Sequence, residues 1–120
     1  MRTFEELQEL VQDWADAKGI IIPTLDQTLA QLRKTQEEGQ EFENEIWNFF
    51  DFGGFESLNE EESNTVQTYK DLKLELGDVF VTLIVAAACL EIDPTECLGL
   101  AYEKIKNRTG KVVNGLFEKD

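Results

Sequence analysis

The chain has no histidine, two cysteines, two prolines, one methionine, and fewer than half as many basic as acidic residues. The absence of histidine removes the Ser/His/Asp and Cys/His catalytic arrangements, His-ligated zinc, and imidazole as a general base. Cys89 and Cys97 stand at a spacing that fits no common zinc or disulfide framework, and both are expected to be buried, reduced thiols. The opening MRTFEELQEL lacks the apolar core of a secretory signal, and the longest apolar stretch, Val79 to Leu90, is interrupted by Thr82. A cytosolic location is expected. With 25 acidic against 11 basic residues and a net charge of -14, the surface repels a phosphate backbone, which excludes general nucleic-acid binding. A polyphosphate ligand would need metal ions or a local basic cluster to reverse the field.

What remains is a 120-residue chain, 42% hydrophobic, enough for one modest core and therefore one domain over residues 1–120. Thr3 and Glu6 form a capping box ahead of Phe4, Leu7, Leu10, Val11 and Trp14, predicting a first helix to about Lys18 with a stop near Gly19. Ile20 to Ile22 read briefly as a strand. Pro23 and Thr24 then open a second helical pattern through Leu25, Leu29, Leu32, Gly39, Phe42 and Ile46, about seven turns long. The Gly-containing acidic stretch from Phe50 to Asn64 predicts a mobile connection. A third helix carries Val66, Tyr69, Leu72, Leu76, Val79, Phe80, Leu83, Ile84, Ala87 and Leu90, and Asp93-Pro94-Thr95-Glu96 announces a fourth, running to about Asn107 or Arg108. Gly110, Asn114 and Gly115 mark a turn-rich end, either a short hairpin or an irregular strap. The fold expected is all-α: an antiparallel four-helix core with a short irregular C-terminal tail.

Carboxylates are what this chain has in excess, and two pairs stand out. Glu38 and Glu41 lie three residues apart on the second helix, with Lys34 one turn before and Glu45 one turn after, on the side opposite the apolar stripe. Alone, that is the pattern of a solvated face. Glu75 and Asp78 share the spacing but stand where the third helix becomes apolar all round, where two carboxylates must be protonated, paired with Lys73 or Arg33, or coordinated. Two antiparallel helices could face these pairs across a cleft. Four oxygen ligands without histidine favour magnesium, with manganese as the alternative, over zinc or copper. Lys104, Asn107, Arg108 and Lys111 form the one basic cluster; phosphate binding and capping of a helix C-terminus are both open to them. Trp14, Trp47 and Phe50 are candidates to stack on a base, against the alternative that they are core or interface.

The run QEEGQE (Gln36 to Glu41) followed by ELGD (Glu75 to Asp78) resembles the EExxE and ExxD signature of the MazG-like, all-α nucleotide pyrophosphohydrolases, with both halves in order. Trp14, Lys34 and the C-terminal KIKNRTGKVVNGLF are similar to small phage-borne members, and the resemblance spans nearly the whole chain. It implies Glu38, Glu41, Glu75 and Asp78 as magnesium ligands and Glu37 as a water-positioning acid. Glu37 and Glu41 thereby become the catalytic candidates, and Lys34, Trp14, Lys104, Asn107, Arg108 and Lys111 the substrate-binding ones. It implies a dimer or tetramer, host cytoplasm if phage-encoded, and hydrolysis of an NTP or dNTP between the α and β phosphates to a nucleoside monophosphate and pyrophosphate. The stretch between Glu41 and Glu75 is longer than usual, residues 50–64 supplying the excess.

Two other functions fit the same residues. One is a dUTPase-like or phosphoribosyl-ATP pyrophosphohydrolase-like enzyme sharing the metal site and differing in the pocket. The other is a non-catalytic helical interaction module whose acidic faces are only solvated surface; magnesium would leave its stability unchanged. Mimicry of nucleic acid would use the net charge but not the paired spacing.

Overall fold

A computed structural model describes residues 1–59 and 64–120. Four helices and one β-hairpin account for most of them: α1 (Phe4–Ala17), α2 (Leu25–Asp51), a 3-10 turn (Gly54–Ser57), α3 (Asn64–Cys89), α4 (Pro94–Ile105), β1 (Gly110–Val113) and β2 (Leu116–Lys119). Three helix starts follow from local capping. The Thr3 and Thr24 hydroxyls accept from Glu6 N and Gln27 N, at 3.1 and 3.2 Å, and the Asp93 carboxylate accepts from Thr95 N at 3.0 Å. At the other end of α1, Gly19 takes φ +74° while Ile20 N donates to Ala15 O and Gly19 N to Asp16 O. This paired reversal satisfies the last carbonyls and turns the chain toward α2. Residues 20–22, which read briefly as a strand, form none.

α2 and α3 run antiparallel along their length, so Phe49 meets Tyr69 near one end and Gln31 approaches Val85 near the other. α1 lies against α3, with Phe4 edge-on to Phe80 at 6.0 Å, and among the described residues α4 touches only α1 and α3. Gln8 fixes that corner: buried in α1, it donates to Asp93 Oδ1 at 2.7 Å and accepts from Thr95 Oγ1 at 2.9 Å. Among the described residues the buried apolar side chains are few: Ala15, Phe49, Ile84, Val85 and Cys89.

The structure corrects the sequence reading in several places. The expected irregular tail is a two-stranded antiparallel hairpin pairing Val112 with Phe117 and Val113 with Leu116. Its two-residue turn has both Asn114 (φ 52°) and Gly115 (φ +81°) in the left-handed region, the geometry that matches strand twist. α4 ends at Ile105, before Asn107 and Arg108. Cys97 is exposed, and only Cys89 is buried, its thiol 3.7 Å from Ile20 O; both are free. Of the connection expected from Phe50 to Asn64, the first part is ordered: α2 continues to Asp51, and Phe49, Phe50, Phe55 and Tyr69 interlock at 5.0–6.5 Å. Its acidic remainder, residues 60–63, lies outside the described residues.

The helical stripes that mark a core in the sequence are only half covered here. Leu7, Leu10 and Trp14 of α1, Leu32 of α2 and Leu83 of α3 are all exposed. The chain presents 9,146 Å² of accessible surface, where a compact monomer of 13.7 kDa presents about 6,600 Å². Its radius of gyration is 17.5 Å against about 14 Å for a compact domain of this length. No helix among the described residues is long and apolar enough to cross a membrane.

Candidate functional site

The antiparallel pairing of α2 and α3 sets the acidic pairs opposite one another. On α2, Gln31, Lys34 and Glu38 follow one face at helical spacing; on α3, Asp78, Val81, Thr82 and Val85 do the same. Together with Trp14, Ile20 and Ala30 they line a cleft of about 420 Å³. Beside it, carboxylate oxygens of Glu38, Glu41 and Glu75 lie within 4.8 Å of one another. Asp78 falls outside that trio, yet its charge bears on both Glu38 and Glu75.

Two oxygens in this group are both buried and unpartnered: Glu38 Oε2 and Glu75 Oε2. A buried carboxylate oxygen without a donor is costly, and most buried polar atoms have a partner. The electrostatics agree. Burial raises the Glu38 carboxyl above its ordinary value first, followed by the close approach of the Glu41 carboxylate and by the charges of Glu41 and Asp78. Glu75 is raised by burial and then by Glu41, Asp78 and Glu45. Neither Lys73 nor Arg33 forms an ion pair with this group among the described residues; Lys73 instead sits 4.7 Å over the Tyr69 ring. The two donorless oxygens of Glu38 and Glu75, with the exposed Glu41 carboxylate beside them, could be met by a hard divalent cation, which takes oxygen ligands and tolerates open positions for water and phosphate.

Lys34 Nζ lies 3.1 Å from Glu37 Oε2 at the exposed edge of the cleft. That hydrogen bond, then the charges of Glu37, Glu38 and Glu41, hold the ammonium above its ordinary value. Glu37 therefore stands outside the carboxylate trio and pairs with the one cation of the cleft. Trp14 lines the cleft with half its surface exposed, whereas Trp47 and Phe50 belong to the far end of α2, where Phe50 joins the aromatic cluster. Lys104, Asn107, Arg108 and Lys111 are not among the residues of the cleft. Lys104 is in the last turn of α4 and Lys111 in β1, and α4 makes no contact with α2 among the described residues.

The sequence reading passed over Gln31, Val81, Thr82 and Val85. Gln31 is seven residues before Glu38, and Val81, Thr82 and Val85 are three, four and seven after Asp78, so helical-face arithmetic from the acidic pairs reaches all of them. A larger groove of about 850 Å³ runs along α1 to the α3–α4 corner and is lined by acidic side chains including Glu5, Glu9, Asp13, Asp16 and Glu91. It shares no residue with the cleft.

Compared with known proteins, the chain matches no family model, no curated protein and no solved structure.

Proposed function

We propose that the chain is a magnesium-dependent nucleoside triphosphate pyrophosphohydrolase, hydrolysing an NTP or dNTP between its α and β phosphates. The observation that carries this reading is the pair of buried, unpartnered oxygens on Glu38 and Glu75, converging with Glu41 beside a cleft that also holds a lysine and a tryptophan. The EExxE and ExxD order of these acids supports it independently.

In this reading Glu38, Glu41, Glu75 and Asp78 hold magnesium, or manganese in its place. The ion supplies neutralisation of phosphate charge and acidification of a bound water. Glu37 and Glu41 would position the attacking water and accept its proton as its oxygen bonds to the α phosphorus, while the bond to the bridging oxygen breaks and pyrophosphate leaves. Lys34 meets the phosphates at the mouth of the cleft and Trp14 offers a face to the base. Lys104, Asn107, Arg108 and Lys111 add phosphate contacts in an assembled dimer or tetramer, and the enzyme works in the cytoplasm.

The test is pyrophosphate release from a panel of NTPs and dNTPs, with and without magnesium, alongside Glu41→Gln. Magnesium-dependent release that the variant lacks supports the reading, and the order of rates separates a dUTPase-like or phosphoribosyl-ATP-specific enzyme from a general one. No release from any substrate, with no magnesium effect on melting temperature, sinks it and leaves the acidic interaction module in its place.

A further inference from the structure

The C-terminal hairpin packs on no other element of its own chain among the described residues. Its hydrogen bonds beyond the ladder close on the same segment: Thr109 Oγ1 donates to Asp120 Oδ2 at 2.8 Å and Asp120 N to Thr109 O at 3.1 Å. Its apolar side chains stand in the open, Val112 at 71%, Leu116 at 73% and Phe117 at 53% exposure. An isolated two-stranded hairpin is marginal in water and needs a surface to rest on. The helix leading into it has the same character, with Leu98, Tyr102 and Ile105 all more than half of maximal exposure or at it.

We propose that residues 104–120 are an exchanged arm, which packs against the helical body of a second copy of this chain while that copy returns its own arm. Two observations select a second copy as the occupant. The first is area. The surface in excess of a compact monomer is roughly 2,500 Å² per chain, or about 5,000 Å² for a pair, the size of obligate homodimer interfaces and well beyond a transient contact. The second is charge. The arm carries Lys104, Lys106, Arg108, Lys111 and Lys119 against Glu118 and Asp120, whereas residues 1–103 carry 23 of the 25 acidic residues and 6 of the 11 basic ones. A basic arm laid on an acidic body offsets the repulsion that two chains of net charge -14 would otherwise suffer. The arm includes Lys104, Asn107, Arg108 and Lys111, given phosphate contacts above, but the exchange is tested without nucleotide or metal, so its failure and the failure of the proposed chemistry are distinguishable.

Sedimentation equilibrium of the full chain at micromolar concentration is expected to give twice the 13.7 kDa monomer mass. Val112→Glu combined with Phe117→Glu is expected to weaken the dimer about 100-fold, since two apolar side chains lose their burial. A monomeric wild type overturns the proposal, and so does a double variant that dimerises as tightly as wild type. Where the double variant fails to fold, a photoreactive phenylalanine analogue at position 117, in a mixture of 14N- and 15N-labelled full-length chains, decides the matter. Products joining the arm of one isotope to residues 1–103 of the other support exchange, and products confined to single chains overturn it.

Discussion

Replacing Glu75 by glutamine should make the metal-free protein more stable and at the same time remove its response to magnesium. Three carboxylate oxygens within 4.8 Å repel one another by roughly 0.9 kcal/mol per pair in a water-like dielectric and about 3.5 kcal/mol at an effective dielectric of 20. Glu41 is exposed, so the water-like end governs. Glu75→Gln removes two of the three pairs, about 2 kcal/mol, which for a chain of this size raises Tm by about 6–10 °C. Magnesium at a hundredfold excess over its Kd should stabilise the wild type by about 2.7 kcal/mol, a rise of about 10 °C, and the variant by little or nothing. The pH dependence has a definite sign. The Glu38 and Glu75 carboxyls titrate above their ordinary value of 4.5, so their contribution to metal-free stability is full below that value and is lost as pH rises through the raised folded values. Magnesium needs them ionised, so its increment grows over the same interval. The assay is thermal unfolding of both proteins at fixed protein concentration, across pH, with magnesium or with a chelator. A metal-free Tm that falls in Glu75→Gln, or a variant that keeps the magnesium increment, would refute the reasoning.

Phe49→Ala, which empties the middle of the Phe50, Phe55 and Tyr69 cluster, should cost about 3–5 kcal/mol in chemical denaturation; a cost below 1 kcal/mol would mean that the cluster closes over the gap. The Asp93 carboxyl is held below its ordinary value of 3.8, first by the hydrogen bond from Gln8 and then, against some opposing burial, by the Thr95 and Glu96 amides. Its stabilisation is therefore present above pH 3.8 and lost as pH falls through the lower folded value, so Asp93→Asn should flatten the acid limb of the stability curve, and an unchanged limb would assign it to other carboxylates. Arg108→Ala should raise KM for the nucleotide with little change in kcat, and an unchanged KM would leave Arg108 without a part in substrate binding.

The helix starts were legible because capping is local: Thr3, Thr24 and Asp93 each meet an amide two or three residues on, whatever the rest of the chain does. The approach of Glu38 and Glu41 to Glu75 was legible for a related reason, since two long antiparallel helices convert matched i, i+3 spacing into a facing pair. What depended on a non-local partner was not legible. Gln8 has no mark in the sequence that sets it apart from the other polar residues of α1, yet it is buried because residues 93 and 95 come to meet it. Cys97 reads as a core thiol and is exposed because, among the described residues, α4 lies on only α1 and α3. The Asn114-Gly115 turn carried the hairpin signal, but its strands, of four residues each, are too short for alternation to register. The spacing of Leu7, Leu10 and Trp14 predicts a helix and the structure has one, but what covers that stripe is not local, and in the single chain about half of it faces water.

The carboxamide of Gln8 has one further consequence. Leucine-rich helical faces match one another at several alignments, because a shift by one turn replaces one aliphatic contact with another of similar strength. A carboxamide has a direction: its nitrogen can only donate and its oxygen only accept, and here both ends are engaged, by Asp93 and by Thr95. Sliding α1 by a turn, or rotating it, breaks both contacts together and strands a buried amide. Oily contacts hold α1 against α3, but it is this one polar side chain that tells the helix where along its neighbour to stop.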